Sequence, residues 1–368
     1  MRILITGGAG FVGSSLATAL QRSLPDTEVC AFDNLRRRGS ELALARLAAA
    51  GAQFVHGDVR APEDLAAAGR FDLLIDCSAE PSVHAGYAND PSYVVHTNLT
   101  GTVHCLEAAR RSGAGVIFLS SSRVYPITGL RALPLERTGH RLDIPEGMSG
   151  TGWSSRGLSA EFPLTGFRSL YGATKLASEL LLEEYRAMYG VRAVINRCGV
   201  IAGPWQMGRV DQGFIALWAA RHEYGGPLVY TGFGGEGLQL RDVLHVDDLA
   251  DLIGIQIAEL DRFSGTLFNV GGGHERSLSL AELTTMCQAR SETRLAIAGE
   301  AQTREADVPY YCSDNSAVSA ATGWRPRRTL DMLLDDVFAW LRAERRLLQP
   351  ILGPPTPQPR ASSAVGAS

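Results

Sequence analysis

The first thirteen residues, MRILITGGAGFVG (1–13), decide how the rest of the chain can fold. Arg2 to Thr6 form a short apolar run typical of a strand, and three glycines follow it at three-residue intervals. Glycines at this spacing let the backbone turn sharply and lie against a pyrophosphate, because no Cβ stands in the way. The apolar run from Phe11 to Leu20 predicts a helix whose free amides and positive dipole end face the phosphates. A glycine turn between a strand and a helix indicates a dinucleotide site, with an ordinary structural turn as the alternative.

An acidic residue follows the second predicted strand. Val29 to Phe32 form an apolar run, and Asp33 comes directly after it, 20 residues beyond Gly13. A carboxylate at this point can hydrogen-bond both ribose hydroxyls of an adenosine. The basic run Arg36 to Arg38 is either a solvated loop or a neighbour of that ribose, where it would tolerate a 2′-phosphate. Because Asp33 would repel such a phosphate, the sequence favours NAD over NADP.

Strand and helix patterns alternate through the first third of the chain, with short connections between them. This alternation predicts a doubly wound parallel α/β sheet of the Rossmann type. Ligands of such sheets bind beyond the carboxyl ends of the strands. Asp58 at one such end can bond an adenine amino group or, alternatively, act as a helix N-cap. One cleft can gather the residues that fall at these ends, namely Gly10, Asp33, Asp58, Ala79 and Ser121.

The composition excludes several other classes of protein. A net charge of −4 and the lack of basic clusters interleaved with aromatic residues argue against nucleic-acid binding. The 6 cysteines are far apart in sequence, with no CxxC pair, which is typical of small buried hydrophobic residues in a reducing compartment. No metal-ligand spacing is present. The chain starts with a strand rather than a signal sequence and has no apolar run long enough to span a bilayer, so we expect a cytoplasmic protein without membrane contact.

A tyrosine and a lysine four residues apart, Tyr171 and Lys175, lie at the start of a helical pattern that runs from Thr174 to Met188. Positions four apart share a helix face, so both side chains can point into one cleft. A free phenol, with a pKa of about 10, is a poor base at neutral pH. A neighbouring ammonium and a positively charged nicotinamide favour the phenolate, and Ser121 can relay the proton or hold the substrate hydroxyl. A helix-surface pair is the simpler explanation of the spacing, but it leaves the glycine loop and Asp33 unexplained.

Together these residues resemble the extended short-chain dehydrogenase/reductase family, in particular its nucleoside-diphosphate-sugar epimerases and dehydratases. The resemblance covers the chain from Met1 to about Leu341 and includes RDVLHVDD (241–248), FNVG (268–271) and GWRP (323–326). It implies a Rossmann domain with tightly held NAD and a smaller C-terminal α/β lobe that binds a nucleotide-sugar.

The resemblance also implies roles for individual residues. Ser121, Tyr171 and Lys175 would form the catalytic trio, and the lysine would also contact the nicotinamide ribose. The expected cofactor-binding residues are Gly7, Gly10, Phe11, Val12, Gly13, Asp33, Asn34, Asp58, Val59, Ser78, Ala79, Asn98, Tyr171 and Lys175.

The two residues after Ser121 separate the branches of this family. Dehydratases carry an Asp–Glu pair there, which protonates the leaving hydroxyl and takes a carbon-bound proton. Ser122 and Arg123 stand here instead, so elimination lacks its proton donor. Epimerisation needs only the removal of a hydride and its return to the other face of the flat ketone.

Similarities of short sequence stretches indicate the substrate. Stretches such as FDNL (32–35) and VHGDVR (55–60) are similar to the CDP-paratose 2-epimerase group, which favours reaction at C2 of a CDP-linked dideoxyhexose. A UDP-hexose 4-epimerase is the alternative. A non-catalytic NAD-binding sensor on the same fold is a second alternative.

Cations and amides of the C-terminal lobe are expected to bind the nucleotide-sugar. Arg241 and Arg304 are candidates for the diphosphate, because a guanidinium matches phosphate oxygens with two hydrogen bonds. Salt bridges to the adjacent Asp242 and Glu305 are the alternative. The DQGF stretch (211–214) would face the nucleotide. The expected substrate-binding residues are Arg123, Gln206, Gln212, Arg241 and Arg304.

The rest of the chain has less specific patterns. Residues 126–168 lack clear periodicity and are predicted to form a partly structured, substrate-facing loop, with disorder as the alternative. Asp247 and Asp248 are predicted to cap a helix over 249–260, and His245 to be a packed structural residue. A homodimer or homotetramer is expected from the resemblance. The predicted domains are 1–196 for NAD with a returning segment near 240–272, 197–239 and 273–350 for the nucleotide-sugar, and 351–368 as a disordered tail.

Overall fold

The structure, a computed structural model, describes residues 1–87, 90–209 and 212–354. Up to residue 121 strand and helix alternate, as the hydrophobic pattern predicts, and a π-helical turn at His96–Thr100 joins two of the helices. The elements of this stretch are β1 (Arg2–Thr6), α1 (Phe11–Ser23), β2 (Glu28–Asp33), α2 (Ala43–Ala49), β3 (Gln53–His56), α3 (Pro62–Ala67), β4 (Leu73–Asp76), α4 (Ser92–Val95), α5 (Gly101–Ser112) and β5 (Gly115–Ser121).

The stretch 126–168 is partly structured, as predicted, and forms several small elements. It contains an antiparallel hairpin and a separate three-stranded antiparallel sheet of very short strands. A long helix and a buried strand follow it. The elements are α6 (Ile127–Arg131), β6 (Glu136–Thr138), β7 (Arg141–Asp143), β8 (Ser149–Gly150), β9 (Trp153–Ser154), β10 (Gly157–Leu158), α7 (Leu170–Tyr189) and β11 (Ala193–Cys198).

The remaining residues build a smaller α/β lobe and one further strand of the main sheet. The elements are β12 (Val200–Ala202), α8 (Phe214–Tyr224), β13 (Val229–Thr231), β14 (Leu240–His245), α9 (Val246–Ala258), α10 (Leu260–Phe263), β15 (Thr266–Val270), β16 (Ser277–Ser279), α11 (Leu280–Gln288), β17 (Ala298–Glu300), β18 (Tyr310–Tyr311), α12 (Ser316–Thr322), α13 (Leu330–Ala343) and α14 (Arg345–Leu352).

The main sheet confirms the predicted Rossmann-type architecture. It has seven strands in the order β15-β11-β5-β4-β1-β2-β3, and every neighbouring pair is parallel. Alternate residues of β1 enter two different apolar clusters, with Ile3 and Ile5 in one and Leu4 in the other. Both faces are therefore covered, as a parallel sheet requires. Strand β15, from late in the chain, completes the edge beside β11.

Three helix ends differ from the sequence pattern. Helix α7 begins at Leu170 rather than Thr174, because Ser169 Oγ accepts a hydrogen bond from Gly172 N at 3.2 Å, and Tyr171 is therefore helical. Helix α9 is capped by His245, whose Nδ1 accepts from Asp247 N at 3.0 Å, so the prediction of an aspartate cap is wrong. Helix α14 extends to Leu352, and residues 355–368 of the predicted tail lie outside the described residues. None of the described helices is both long and apolar enough to cross a membrane.

Candidate active site

A cavity of about 900 Å³ opens beyond the carboxyl ends of the main-sheet strands and extends between them and the C-terminal lobe. Its position agrees with the ligand sites of open parallel sheets. The predicted site residues that line it are Gly7, Gly10, Phe11, Val12, Gly13, Asp33, Asn34, Val59, Ser78, Ala79, Ser121, Arg123, Tyr171, Lys175, Gln206, Gln212, Arg241 and Arg304.

The glycine loop forms one wall of this cavity. Gly7 has φ +64°, and a Cβ on Gly13 would lie 2.2 Å from the Gly7 carbonyl oxygen, so neither position accepts a side chain. Helix α1 starts at Phe11 with no side-chain cap and no acidic residue in its first turn. The first amides of α1 and the positive end of its dipole are therefore free to bind an anion. The glycine loop before it leaves a concave space that a Cβ would fill.

Asp33 lies beside this loop at the end of β2. Its Oδ2 accepts from Ala9 N at 3.1 Å and its Oδ1 from Leu35 N at 2.8 Å. Burial raises the pKa of Asp33, and the backbone hydrogen bonds oppose that rise. Each carboxylate oxygen has two lone pairs, so both can accept a further hydrogen bond from a ligand hydroxyl.

Two of the predicted cofactor residues lie behind the cavity wall rather than on it. Asp58 accepts from Asn34 Nδ2 at 2.9 Å and pairs with Arg60 at 2.6 Å, and hydrogen bonds from Arg60 hold the pKa of Asp58 well below its usual range. Asn98 clamps the backbone of Glu80: its Oδ1 accepts from the amide at 2.7 Å and its Nδ2 donates to the carbonyl at 3.1 Å. Both side chains therefore shape the cavity through the residues they hold.

Tyr93 also lines the cavity close to these residues, although no sequence pattern predicts it. The guanidinium of Arg36 lies 3.9 Å from the centroid of its ring, and that of Arg60 lies 5.0 Å away. A cation over the face of an aromatic ring is attracted to that ring electrostatically. A single tyrosine in a short helix gives no spacing signal, so only the fold reveals this contact.

The three predicted catalytic residues converge on the cavity from two elements. Lys175 is 2 % exposed, and its Nζ donates to Leu119 O at 3.0 Å and lies 4.5 Å from the Phe118 ring centroid. The ion pairs among the described residues do not include Lys175, so its charge is available to the cavity. Ser121 ends β5, and its Oγ accepts from Arg123 N at 3.1 Å. Tyr171 precedes Lys175 by one helical turn.

Two half-buried arginines, Arg123 and Arg241, lie near each other where the cavity meets the C-terminal lobe. Arg241 donates to Leu240 O and Val308 O, both at 2.6 Å, and Arg123 Nη1 donates to Ala306 O at 3.1 Å. Burial, with the charge of Arg123, lowers the pKa of Arg241 to about 9, and burial also lowers the pKa of Arg123. All of these hydrogen-bond partners are neutral carbonyls, and neither cation forms an ion pair among the described residues. The charge of Asp307, which also lines the cavity, opposes the lowering of both pKa values.

The alternative salt bridges next to the predicted diphosphate ligands are not formed. The carboxylate of Asp242 accepts instead from the amides of Ser313 at 3.1 Å and Gly273 at 3.3 Å. Arg304 is exposed on the cavity rim, and no ion pair joins it to Glu305 among the described residues.

The lobe side of the cavity also carries unpartnered polar atoms. Gln206 Nε2 donates to Ile201 O at 2.9 Å, which leaves its buried Oε1 without a partner in the described structure. The buried Oε1 atoms of Gln212 and Gln239 likewise have no described partner, and all three glutamines line the cavity. A buried polar atom without a hydrogen bond is costly, so this region fits a ligand that supplies donors. Asp211, predicted to lie beside Gln212, is outside the described residues.

Comparison with known proteins agrees with this geometry. The profile of the NAD dependent epimerase/dehydratase family matches residues 3–271. The chain is 28% identical to a CDP-paratose 2-epimerase from Salmonella typhi, over 92% of this chain and 99% of the relative. It is 30% identical to a dTDP-glucose 4,6-dehydratase from Streptomyces niveus, over 96% of each chain.

Solved structures give the same result. A UDP-glucose 4-epimerase from Thermus thermophilus, in complex with NAD, superposes with a TM-score of 0.75 at 26% identity, over 93% of this chain and 99% of the other. A dTDP-glucose 4,6-dehydratase from Streptomyces venezuelae, with NAD bound, gives 0.74 at 27% identity, over 95% and 100%. The similar proteins thus include both epimerases and dehydratases.

Proposed function

Because the chain belongs to the NAD-dependent epimerase/dehydratase family, as its sequence predicts, we propose that it is an epimerase of nucleoside-diphosphate sugars and not a dehydratase. It is an enzyme of that family and its cofactor is NAD. One observation carries the choice of reaction. The second position after Ser121 holds Arg123, a half-buried arginine on the cavity wall that donates to Ala306 O. An arginine stays protonated at neutral pH, so it cannot supply the proton that elimination of water requires.

The residues of the cavity fit NAD. The Gly7–Gly13 cradle and the open end of α1 suit a pyrophosphate, and Asp33 suits the hydroxyls of a ribose. When bound, NAD supplies the acceptor and donor of the hydride, so that the sugar carbon passes through a ketone and is reduced on its other face. Side chains of this protein transfer the proton and orient the sugar hydroxyl.

We assign the proton transfer to Tyr171. Its phenolate takes the hydroxyl proton of the sugar as the carbon is oxidised, and the phenol returns it after the ketone has turned over. Lys175, buried and held by Leu119 O at 3.0 Å, lies one helical turn from Tyr171 and also lines the cavity. Ser121 orients the substrate hydroxyl, since its Oγ is fixed by the amide of Arg123 at 3.1 Å.

The lobe residues support a nucleoside diphosphate as the rest of the substrate. Arg241 and Arg304 would bind the diphosphate, because the first is half-buried on the cavity wall and forms no ion pair among the described residues, and the second lines the rim. The unpartnered amide oxygens of Gln206 and Gln212 would accept from the nucleoside. We propose C2 of a CDP-linked dideoxyhexose as the reacting centre, which the nearly full-length similarity to a CDP-paratose 2-epimerase supports.

Incubation with a panel of CDP-, UDP-, GDP- and dTDP-sugars, read by NMR and mass spectrometry, tests this assignment. An epimerase returns a product of unchanged mass with one inverted carbon, and a CDP-sugar inverted at C2 is expected here. Inversion at C4 of a UDP-hexose would correct the sugar and keep the reaction. A product that has lost the mass of one water would contradict the proposal.

A further inference from the structure

A buried charge pair, Glu179 with Arg197, lies directly behind the candidate catalytic residues. Arg197 Nη2 lies 2.7 Å from Glu179 Oε2, and its Nε lies 3.0 Å from Oε1. Each side chain is only 4% exposed. Burial alone would lower the pKa of Arg197, but the hydrogen bonds and charge of Glu179 outweigh it and raise that pKa, so the arginine stays charged.

Glu179 of this pair lies on the same face of α7 as the candidate catalytic residues. Tyr171, Lys175 and Glu179 follow one another at four-residue intervals on α7, which places them along one face of the helix. Lys175 bonds Leu119 O, and Glu179 accepts from the hydroxyl of Ser120. Two successive residues of β5, immediately before Ser121, are therefore fixed to α7 by side chains one turn apart.

The other side of the pair reaches the stretch 126–168. Arg197 Nη1 donates to Tyr125 Oη at 3.3 Å and to Ala160 O at 3.4 Å. Tyr125 Oη donates to Asn269 Oδ1 at 2.6 Å, and Asn269 Nδ2 donates to Leu158 O at 2.8 Å. The network thus joins α7 and β5 to strand β15 and to the segment around β10.

Stability alone does not account for such a pair. Taking two charges out of water is costly, and apolar side chains of similar size often stabilise a protein equally well or better. What an ion pair with several directed hydrogen bonds does supply is a fixed register between the elements it joins. Here those elements carry Tyr171 and Lys175 on one side and Ser121 on the other.

We propose that Glu179 and Arg197 are positioning residues. They hold helix α7, which carries Tyr171 and Lys175, in register with Ser121, and they couple the position of residues 157–160 to that helix. This inference rests on the proposed function for its kinetic readout, but not for its structural one. Neither residue lines the cavity, so neither touches substrate or cofactor.

The test replaces the pair by apolar side chains, in the double variant Glu179→Leu/Arg197→Met. The matched control is Glu183→Leu/Arg186→Met, which removes an exposed ion pair one turn further along the same helix, where the side chains are 44% and 43% exposed. We expect the test variant to unfold at or above the wild-type temperature. Its kcat should fall about 100-fold, as a displacement of reacting groups near 1 Å causes, with KM and bound NAD retained. The control should keep its kcat.

A second readout does not depend on turnover. In protein labelled with 13Cζ-tyrosine, the resonance of Tyr171, assigned with Tyr171→Phe, should move in the test variant and stay in place in the control. The Tyr125 resonance reports that the pair itself has changed. An unmoved Tyr171 resonance beside a moved Tyr125 resonance, or a stable test variant with wild-type kcat, would overturn the proposal. If wild-type protein turns over no nucleotide-sugar, the proposed function fails while the Tyr171 resonance still decides the positioning role.

A milder substitution covers the case in which the double variant does not fold. Arg197→Lys keeps the charge but loses the two-pronged contact with Glu179. It should lower kcat about tenfold without raising KM. A wild-type kcat in this variant would overturn the proposal.

Discussion

The two halves of the cavity are built in different ways. The half at the ends of β1 and β2 consists largely of backbone: a left-handed Gly7, a Gly13 without room for a Cβ, and the free amides of α1. The half at the C-terminal lobe consists of side chains such as Arg241 and Gln239, whose described hydrogen bonds go to backbone carbonyls. Among the described residues Arg241 forms no ion pair and Gln239 Oε1 has no hydrogen-bond partner. A backbone cradle accepts any ligand with the same phosphate geometry, so it suits a shared cofactor. A set of side chains can change one by one, so it suits the variable substrate.

The largest effect is expected where the two halves meet, at Tyr171. Tyr171→Phe removes the base but no contact of either half, so turnover should fall about 10³-fold or more, in the range of general acid–base catalysis. Bound NAD, measured by absorbance after denaturation, and affinity for the nucleotide-sugar, measured by calorimetry, should both be retained. Retained turnover would remove Tyr171 from the role of base.

In the backbone half, replacing a single glycine should be enough to weaken NAD binding. Gly13→Ala places a Cβ 2.2 Å from Gly7 O, so the loop must leave its NAD-binding conformation to relieve the clash. Returning to that conformation on binding costs about 1–3 kcal/mol, which is roughly a 10- to 100-fold loss of NAD affinity. Nucleotide-sugar affinity should change far less, because the lobe is untouched. Gly254→Ala is the control, since a Cβ there meets nothing within 4 Å. Equal losses of both ligands in Gly13→Ala would contradict the division into two halves.

The side-chain half should show a pH dependence that the backbone half lacks. Arg241 has a pKa lowered to about 9 by burial, and a bound diphosphate favours its charged form. The terminal phosphate of CDP titrates at about pH 6, so the test is made above about pH 7, where its charge is constant. In that range affinity for CDP should hold up to about pH 8 and fall as the pH rises through about 9. Calorimetry at several pH values measures this, with NAD affinity as the internal comparison.

The variant Arg241→Met isolates the contribution of the arginine. It should bind CDP roughly 10- to 100-fold more weakly at pH 7, as expected for hydrogen bonds to a charged group, and should lose that part of the pH dependence. If the pH dependence stays the same without the arginine, another group is responsible.

The smallest effect is expected from the unpartnered amides. Gln239→Leu removes a buried Oε1 that has no described partner, but also the hydrogen bond from Nε2 to Thr231 O at 3.1 Å. These two effects oppose each other, so the ligand-free protein should unfold at a nearly unchanged temperature. Affinity for the nucleoside should fall by about 1 kcal/mol, or roughly fivefold, if the oxygen accepts from it. An unchanged affinity would place Gln239 outside the nucleoside contacts.

The division also explains which features the sequence predicted. The order of β1, the glycine loop, α1 and Asp33 follows from local patterns, and the parallel sheet and NAD are confirmed. Tyr93 and the cap by His245 were missed, because neither a lone aromatic residue nor a histidine before two aspartates has a distinctive spacing. The domain boundaries and the oligomeric state stay predictions.

The sequence by itself determined the strand–helix alternation and the glycine cradle, since hydrophobic period and glycine conformation act over a few neighbouring residues. Only the tertiary structure decided which polar groups are buried together. Arg197 meets Glu179 and Tyr125 across 18 and 72 residues of chain, and Arg241 meets Val308 across 67. Burial and pairing arise where distant segments pack, so they depend on the whole fold and not on any stretch of it.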